Sequence, residues 1–168
     1  MEKSTEPRRD KILKMNGYIY GGNWDLTLRE IDNYIFIKSY KERYQSGKEW
    51  YETELYKEVL KKIETGKIVQ SCSNKMEWHS HLSKVDRIYK EIKLVGYKTQ
   101  TELKTKRPWD EIRVAIGRDR QIIFLDGRNR LALAKALNLE KIPVYICAIH
   151  PESYTENPND FIEEIRVN

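Results

Sequence analysis

Between residues 111 and 146 the apolar period changes from strand to helix and back, and this limits the folds open to the chain more than any other feature. Glu111 to Ile116 alternates, with Ile112, Val114 and Ile116 on one face. Gly117-Arg118-Asp119-Arg120 reads as a turn, and Gln121 to Leu125 as a strongly apolar strand. Asp126-Gly127 leads into a helix over 127–137, with Asn138 as a left-handed cap and Leu139 as the hydrophobic residue after it. Ile142-Pro143-Val144-Tyr145-Ile146 is expected to be a final strand, with proline at its start, where a missing N–H does least harm. The alternation predicts an α+β (α/β-like) domain rather than a helical bundle.

Upstream the pattern is helical. Residues 1–16 are polar and expected to fray. Gly21-Gly22-Asn23 marks a turn before Trp24-Asp25, and residues 28–45 read as loosely helical, ending near Gly47. Over 53–65, Leu55, Val59 and Ile63 recur every four residues, Leu60 broadens the stripe and Gly66 can stop it. The clearest helix runs from Asn74 to Val95. Asn74 with Glu77 is a capping-box pattern, Trp78, Leu82, Val85, Tyr89 and Ile92 form one stripe, Ile88 and Val95 extend it, and Gly96 ends it. Tyr97 to Leu103 is expected to be a short edge strand and Lys104 to Pro108 a basic loop. Asn157 and Pro158 fit the cap and first position of a short C-terminal helix. The chain thus divides into a mainly helical N-terminal extension (1–81), an α/β-like domain (82–150) and a short C-terminal helix or tail (151–168).

The net charge of +5 over 168 residues is unevenly spread. Residues 84–135 hold 14 Lys+Arg against 7 Asp+Glu, and residues 136–168 hold 2 against 6. A basic excess of this kind suits phosphates, as a nucleotide, as DNA, or both, although lysines on a solvated surface account for part of it. No apolar run approaches the roughly 20 residues of a membrane span, so no membrane partner is expected. The first residues lack the apolar core of a secretory signal, so a cytoplasmic location is expected. Cys72 and Cys147 form no CxxC pair, which leaves neither a zinc knuckle nor a thioredoxin-like motif.

The residues that carry chemistry follow the apolar strand. A strand–turn–helix junction leaves the first helical N–H groups without partners, and these with the helix dipole favour an anion. Gly127 removes the side chain that would block close approach, and Asp126 can cap the helix by accepting from Asn129 or its neighbour. Arg128 and Arg130 both fall in the first turn, where a cation opposes the dipole at a cost of about 0.3–1 kcal/mol. Arg130 also shares an azimuth with Leu131, Leu133, Ala134 and Leu137, so it should point back towards the strand edge. A bound phosphate would repair both local conflicts, and such conflicts are expected at functional sites. The alternative is that Asp126 and the arginines pair among themselves.

The stretch IRVAIGRDRQIIFLDGRNRLALAKALNLEKIPVYI resembles the core of the ParB/sulfiredoxin-like superfamily: a strand, G-x-x-R at a helix start, an alanine-rich helix and a strand beginning Ile-Pro-Val. The resemblance covers about residues 82–150 and implies a small mixed sheet carrying a nucleotide site. It implies that Gly127 and Arg130 hold nucleotide phosphates. Arg128 stands where sulfiredoxins carry their catalytic cysteine, which argues against sulfinic-acid reduction, and where partition proteins often carry an acidic residue. The D-G-x-x-R form, with Asp126 before the glycine, looks more like the branch containing free-serine kinases, with Asn129 in place of a histidine. The longer pattern is similar to a group of archaeal and bacterial proteins. It combines Gly22-x-Trp24-Asp25, Trp50 with Thr53, Cys72-Ser73, and G-R-D before D-G-R-x-R. In that group an aspartate–glycine turn follows the arginine, and here Arg120 stands in for the glycine.

Three functions follow as expectations. The first is nucleotide phosphate binding, with phosphotransfer (small-molecule kinase-like) or NTP hydrolysis. ATP or CTP would be held by Gly127, Arg128, Asn129 and Arg130; Asp126 and Arg130 would be catalytic, and Asp126 would hold Mg²⁺ or act as base. The second is a DNA-binding, partition- or nuclease-type module using the basic span. The third is a non-catalytic partner-binding protein using the Trp- and Tyr-rich helical half. Arg118, His150 and Asp25 are expected at the site rim. His79 and His81 form H-x-H on a helix, where residues two apart diverge, so they read as ordinary polar histidines rather than shared metal ligands.

Overall fold

The computed structural model describes residues 17–26, 35–107 and 110–154. In chain order these form β1 (Tyr18–Ile19), α1 (Ile35–Tyr44), a 3-10 turn at Trp50–Glu52, α2 (Glu54–Glu64), α3 (Lys75–Val95), β2 (Arg113–Ile116), β3 (Ile122–Asp126), α4 (Arg128–Ala136), β4 (Tyr145–Ile149) and a 3-10 turn at Pro151–Ser153. Four helices and a four-stranded mixed sheet among the described residues make this a small α+β fold. The expectations for residues 1–16 and for a helix at Asn157-Pro158 lie outside the described residues.

The chain forms two units, each drawn from separated segments. One holds the described residues within Met1–Ile31, Thr99–Gly127 and Glu140–Asn168, and the other those within Asp32–Lys98 and Arg128–Leu139. The sequence reading cut the chain at 81 and 150 instead, because periodicity reports elements and not which of them share a core.

In the sheet unit, β2 and β3 form an antiparallel hairpin. Gly117 N–H donates to the Gln121 carbonyl and Arg120 N–H to the Gly117 carbonyl, both at 3.0 Å. Arg120 sits at φ +60°, the left-handed conformation that glycine adopts without steric cost. β4 runs parallel to β2 and β1 parallel to β4, giving the order β1-β4-β2-β3. Central β2 buries Val114, Ala115 and Ile116 alike, as a strand covered on both faces does. Trp24, Leu125, Cys147 and Ala148 join Ala115 in the core.

Two strand expectations shift. β4 begins at Tyr145, three residues after Ile142, and Tyr145 N–H enters the sheet by donating to the Ile112 carbonyl at 2.7 Å. Pro143, with no N–H to offer, stays outside it. Residues 97–103 form no strand. Thr99 and Glu102 make a capping box there: Thr99 N–H and its hydroxyl both donate to the Glu102 carboxylate at 2.7 Å, and Glu102 N–H donates to Thr99 Oγ1 at 3.1 Å. The T-x-x-E signature was present in the sequence. β1, two residues long, is too short for periodicity to reveal.

In the helical unit, Thr53 caps α2 by accepting from Tyr56 N–H, and Asn74 caps α3 by accepting from Glu77 N–H at 2.9 Å. The reciprocal arm of the α3 box lands one residue early, since the Glu77 carboxylate accepts from the Ser73 N–H and hydroxyl. Trp78, Leu82 and Val85 are buried, each contributing about 1.5–3 kcal/mol by leaving water. The stripe narrows beyond them. Tyr89 stacks on Tyr44 with ring centroids 3.8 Å apart, but Ile88 and Val95 are exposed and do not extend the buried face. α1 packs on α4. No described helix is long and apolar enough to cross a membrane.

Candidate anion site

The Asp126–Arg130 segment crosses the boundary between the units, so its residues divide. Asp126 and Gly127 close the sheet unit, and Arg128, Asn129 and Arg130 open the helix of the other. The Asp126 carboxylate accepts from the adjoining Gly127 N–H at 2.8 Å, a bond the turn favours because Gly127 takes φ +89°. Gly127 is required for packing: a Cβ there would lie 2.8 Å from Ile112 Cα and 3.1 Å from the Glu111 carbonyl oxygen. Its missing side chain is explained inside the sheet unit.

The three residues expected at a site rim do come together, as a closed polar knot in the sheet unit. Asp25 is fully buried. Its Oδ2 accepts from Arg118 N–H at 2.8 Å and Arg118 Nε at 2.9 Å, and its Oδ1 accepts from Arg118 Nη2 at 2.9 Å. Nη2 also donates to the Gly22 carbonyl and to Asn23 Oδ1. The Arg118 guanidinium and amide hold the Asp25 carboxyl down at about 2, against the opposing effect of burial. His150 Nδ1 accepts from Glu152 N–H, which assigns the proton to Nε2 and lets it donate to the Gly22 carbonyl at 3.0 Å. With these groups matched to one another, the trio is architecture rather than a rim.

The helical unit contrasts with this. Arg128 is exposed, its guanidinium carbon 4.6 Å from the centre of the Phe36 ring, and among the described residues no carboxylate forms an ion pair with it. Asn129 is fixed from two sides: its Oδ1 accepts from Tyr40 Oη at 3.0 Å, and its Nδ2 lies 3.4 Å from Gln70 Oε1. Arg130 is half-buried and already engaged. Gln70 reaches Asn129 from a tight turn in which Val69 and Cys72 exchange backbone hydrogen bonds. Gln70 and Ser71 adopt φ +53° and +61°, both positive as a type I′ turn demands and both carried by residues that resist it. Backbone strain of this kind costs about 1–3 kcal/mol per residue and clusters at ligand sites.

Gln70 Nε2, Trp78 Nε1 and His81 Nε2 of the helical unit are buried with no hydrogen-bond partner, as is Arg43 Nε elsewhere in it. The His81 ring stacks on Trp78 at 5.3 Å and 13°. Burial pushes the His81 pKa down, and Lys84 and Arg128 push the same way, so His81 is within electrostatic reach of Arg128. Gln70 Nε2 and Trp78 Nε1 can only donate, and His81 Nε2 can donate in one tautomer or when protonated. Leaving a buried donor unmatched costs about 1–3 kcal/mol.

A cleft of about 180 Å³, lined by Trp50, Tyr51, Tyr56, His79 and Asp86 among others, also lies in the helical unit. Its polar groups satisfy one another. Asp86 accepts from Tyr44 Oη, Trp50 Nε1 and Arg43 Nη2, and Tyr56 Oη bonds to His79 Nε2 at 2.7 Å. Glu49 and Asp86 in its wall are both paired with Arg43. Among the described residues no three His, Cys, Asp or Glu side chains gather as a metal-binding group.

Sequence reasoning reached Arg128 and Asn129 but missed Gln70, Trp78 and His81. Trp78 and His81 stand three apart on α3, a spacing that makes neighbours on a helix surface, and that signal was available. Gln-Ser is no turn signature, so nothing local announced Gln70. No family model, curated protein or solved structure matches the chain.

Proposed function

We propose that the protein binds a phosphate-bearing ligand, such as a nucleotide, at the N-terminal turn of α4, with Arg128, Gln70, Trp78 and His81 as its contacts. One observation carries this reading: Gln70 Nε2, Trp78 Nε1 and His81 Nε2 are buried without hydrogen-bond partners, Gln70 reaches Asn129 and Arg128 acts on His81, and among the described residues no carboxylate forms an ion pair with Arg128. An oxyanion supplies several acceptor lone pairs and a negative charge, which is what this set lacks. The first-turn N–H groups of a helix favour the same ligand, and a phosphate offsets the opposition between the α4 dipole and Arg128. The resemblance of residues 82–150 to ParB/sulfiredoxin-like proteins implies phosphate contacts at Gly127 and Arg130, and so supports the class of ligand but not the contacts Gln70, Trp78 and His81.

The test is a thermal shift series with inorganic phosphate, ATP and CTP on the full chain. At a ligand concentration about 100-fold above Kd, linkage adds about 2.7 kcal/mol, which is several degrees of Tm for a chain of this size. Stabilisation by ATP or CTP beyond that by inorganic phosphate identifies a nucleotide. Arg128→Ala should abolish the shift. A flat response to all three ligands refutes the proposal.

A further inference from the structure

We infer that the group bound at this site is a dianionic oxyanion, a terminal phosphoryl group or its sulfate equivalent, and that it enters together with one proton taken up by His81. The inference rests on the phosphate-binding reading and adds a residue role and a ligand charge to it.

Its basis is geometric. The Nε2 of His81 is buried and unmatched, and the ring lies parallel to the indole of Trp78, a side chain only 1% exposed whose N–H is also unmatched. The two unmatched nitrogens lie on stacked rings and Arg128 acts on one of them, so acceptor atoms supplied here would match two donors at once. A neutral His81 offers one N–H. A protonated one offers two, and the second needs an acceptor that no described side chain supplies. The neutral ring can already donate from Nε2 in one tautomer; protonation adds a positive charge, which a dianion favours more than a monoanion does.

The charges around His81 point the same way. Lys84, one turn along α3, and Arg128, at the start of α4, both act on it and both disfavour the imidazolium. On the neighbouring elements, Tyr40 of α1 and Cys72 of the 69–72 turn have their pKa values raised by burial and stay neutral. Glu77, at the start of α3, is committed to Ser73. Burial, followed by Lys84 and Arg128, thus favours the neutral His81 ring without ligand. A dianion reverses the local sign and favours the charged ring, and a monoanionic diester does so less. By linkage, a ligand that raises the pKa of His81 binds more tightly as pH falls between the free and bound pKa values.

The test uses sulfate, which stays a dianion across the range, so that any pH dependence belongs to the protein. Sulfate affinity of the full chain is measured by calorimetry from about pH 5.5 to 8.5, where histidine changes charge. The affinity should fall with rising pH, by up to about tenfold per unit at the steepest point, the limit for one linked proton. In parallel, NMR of the three histidines should show sulfate moving the His81 titration to higher pH, a readout that needs no variant. His81→Gln should remove the slope, and His79→Gln, whose ring serves Tyr56, should keep it. Sulfate binding that is independent of pH overturns this inference and leaves phosphate binding standing. Absence of binding by both sulfate and phosphate overturns both.

Discussion

Two arginines near glycine-marked turns have opposite surroundings. Arg118 of the sheet unit spends its amide, Nε and Nη2 on Asp25 and the Gly22-Asn23 turn, and the carboxylate it grips is fully buried. Arg128 of the helical unit lies on an aromatic face, and among the described residues it has no carboxylate partner, while buried donors of the same unit lack acceptors. In sequence the two look alike, since each is basic and each follows a glycine directly. The difference is satisfaction. A polar cluster whose donors and acceptors balance holds structure together, whereas one left with surplus donors is stable only at a cost and is suited to a ligand that removes it.

Each side of the comparison can be broken separately. The largest effect is expected from Asp25→Ala, which strands the Arg118 guanidinium and amide. Removing one partner of a buried pair costs about 3–5 kcal/mol, and Arg118, 23% exposed, should place the loss near the low end, read as a fall in the urea midpoint. The same pair has a pH signature. The Asp25 pKa in the folded chain, about 2, lies below its unfolded value, so its stabilisation is complete above about pH 4. It is lost as pH falls towards 2, by about 2 kcal/mol. Asp25→Asn should flatten that part of the stability profile.

Gly127→Ala comes next. The left-handed φ and the Ile112 backbone at 2.8 Å predict a loss of about 2 kcal/mol, with the phosphate-induced Tm shift retained in the protein that folds. A normal Tm with the shift abolished would return Gly127 to the binding site. In the helical unit, Gln70→Gly relieves a positive φ and deletes an unmatched donor. It should stabilise the ligand-free chain by about 1 kcal/mol while weakening phosphate binding, and a loss of both would make Gln70 a structural residue. The smallest effect belongs to Arg128→Ala without ligand. Loss of the Phe36 contact, about 0.5–1 kcal/mol, is offset by relief of the dipole conflict, about 0.3–1 kcal/mol, so Tm should barely move.

Much of the secondary structure was legible because it is local. Asn74 caps α3, Gly96 ends it at φ +80°, and Asn138 takes φ +52° after α4, each as side-chain chemistry and backbone sterics dictate. Arg128 and Arg130 were legible as an anomaly, two cations in a helical first turn. The closed Asp25–Arg118–His150 knot was only half legible. The residues were picked out, but whether their hydrogen bonds would be spent on one another could not be read across a sequence separation of 93 between Asp25 and Arg118.

The amino-acid order by itself fixed the periods, the caps and the turn at 117–120, since those depend on neighbours a few residues apart. The tertiary structure alone decided that β4 pairs with β1 and β2, that Gln70 reaches Asn129, and that the buried Nε2 of His81 has no partner. The physical reason is that hydrogen-bond satisfaction is a property of a place in space, filled by groups that the chain delivers from distant positions.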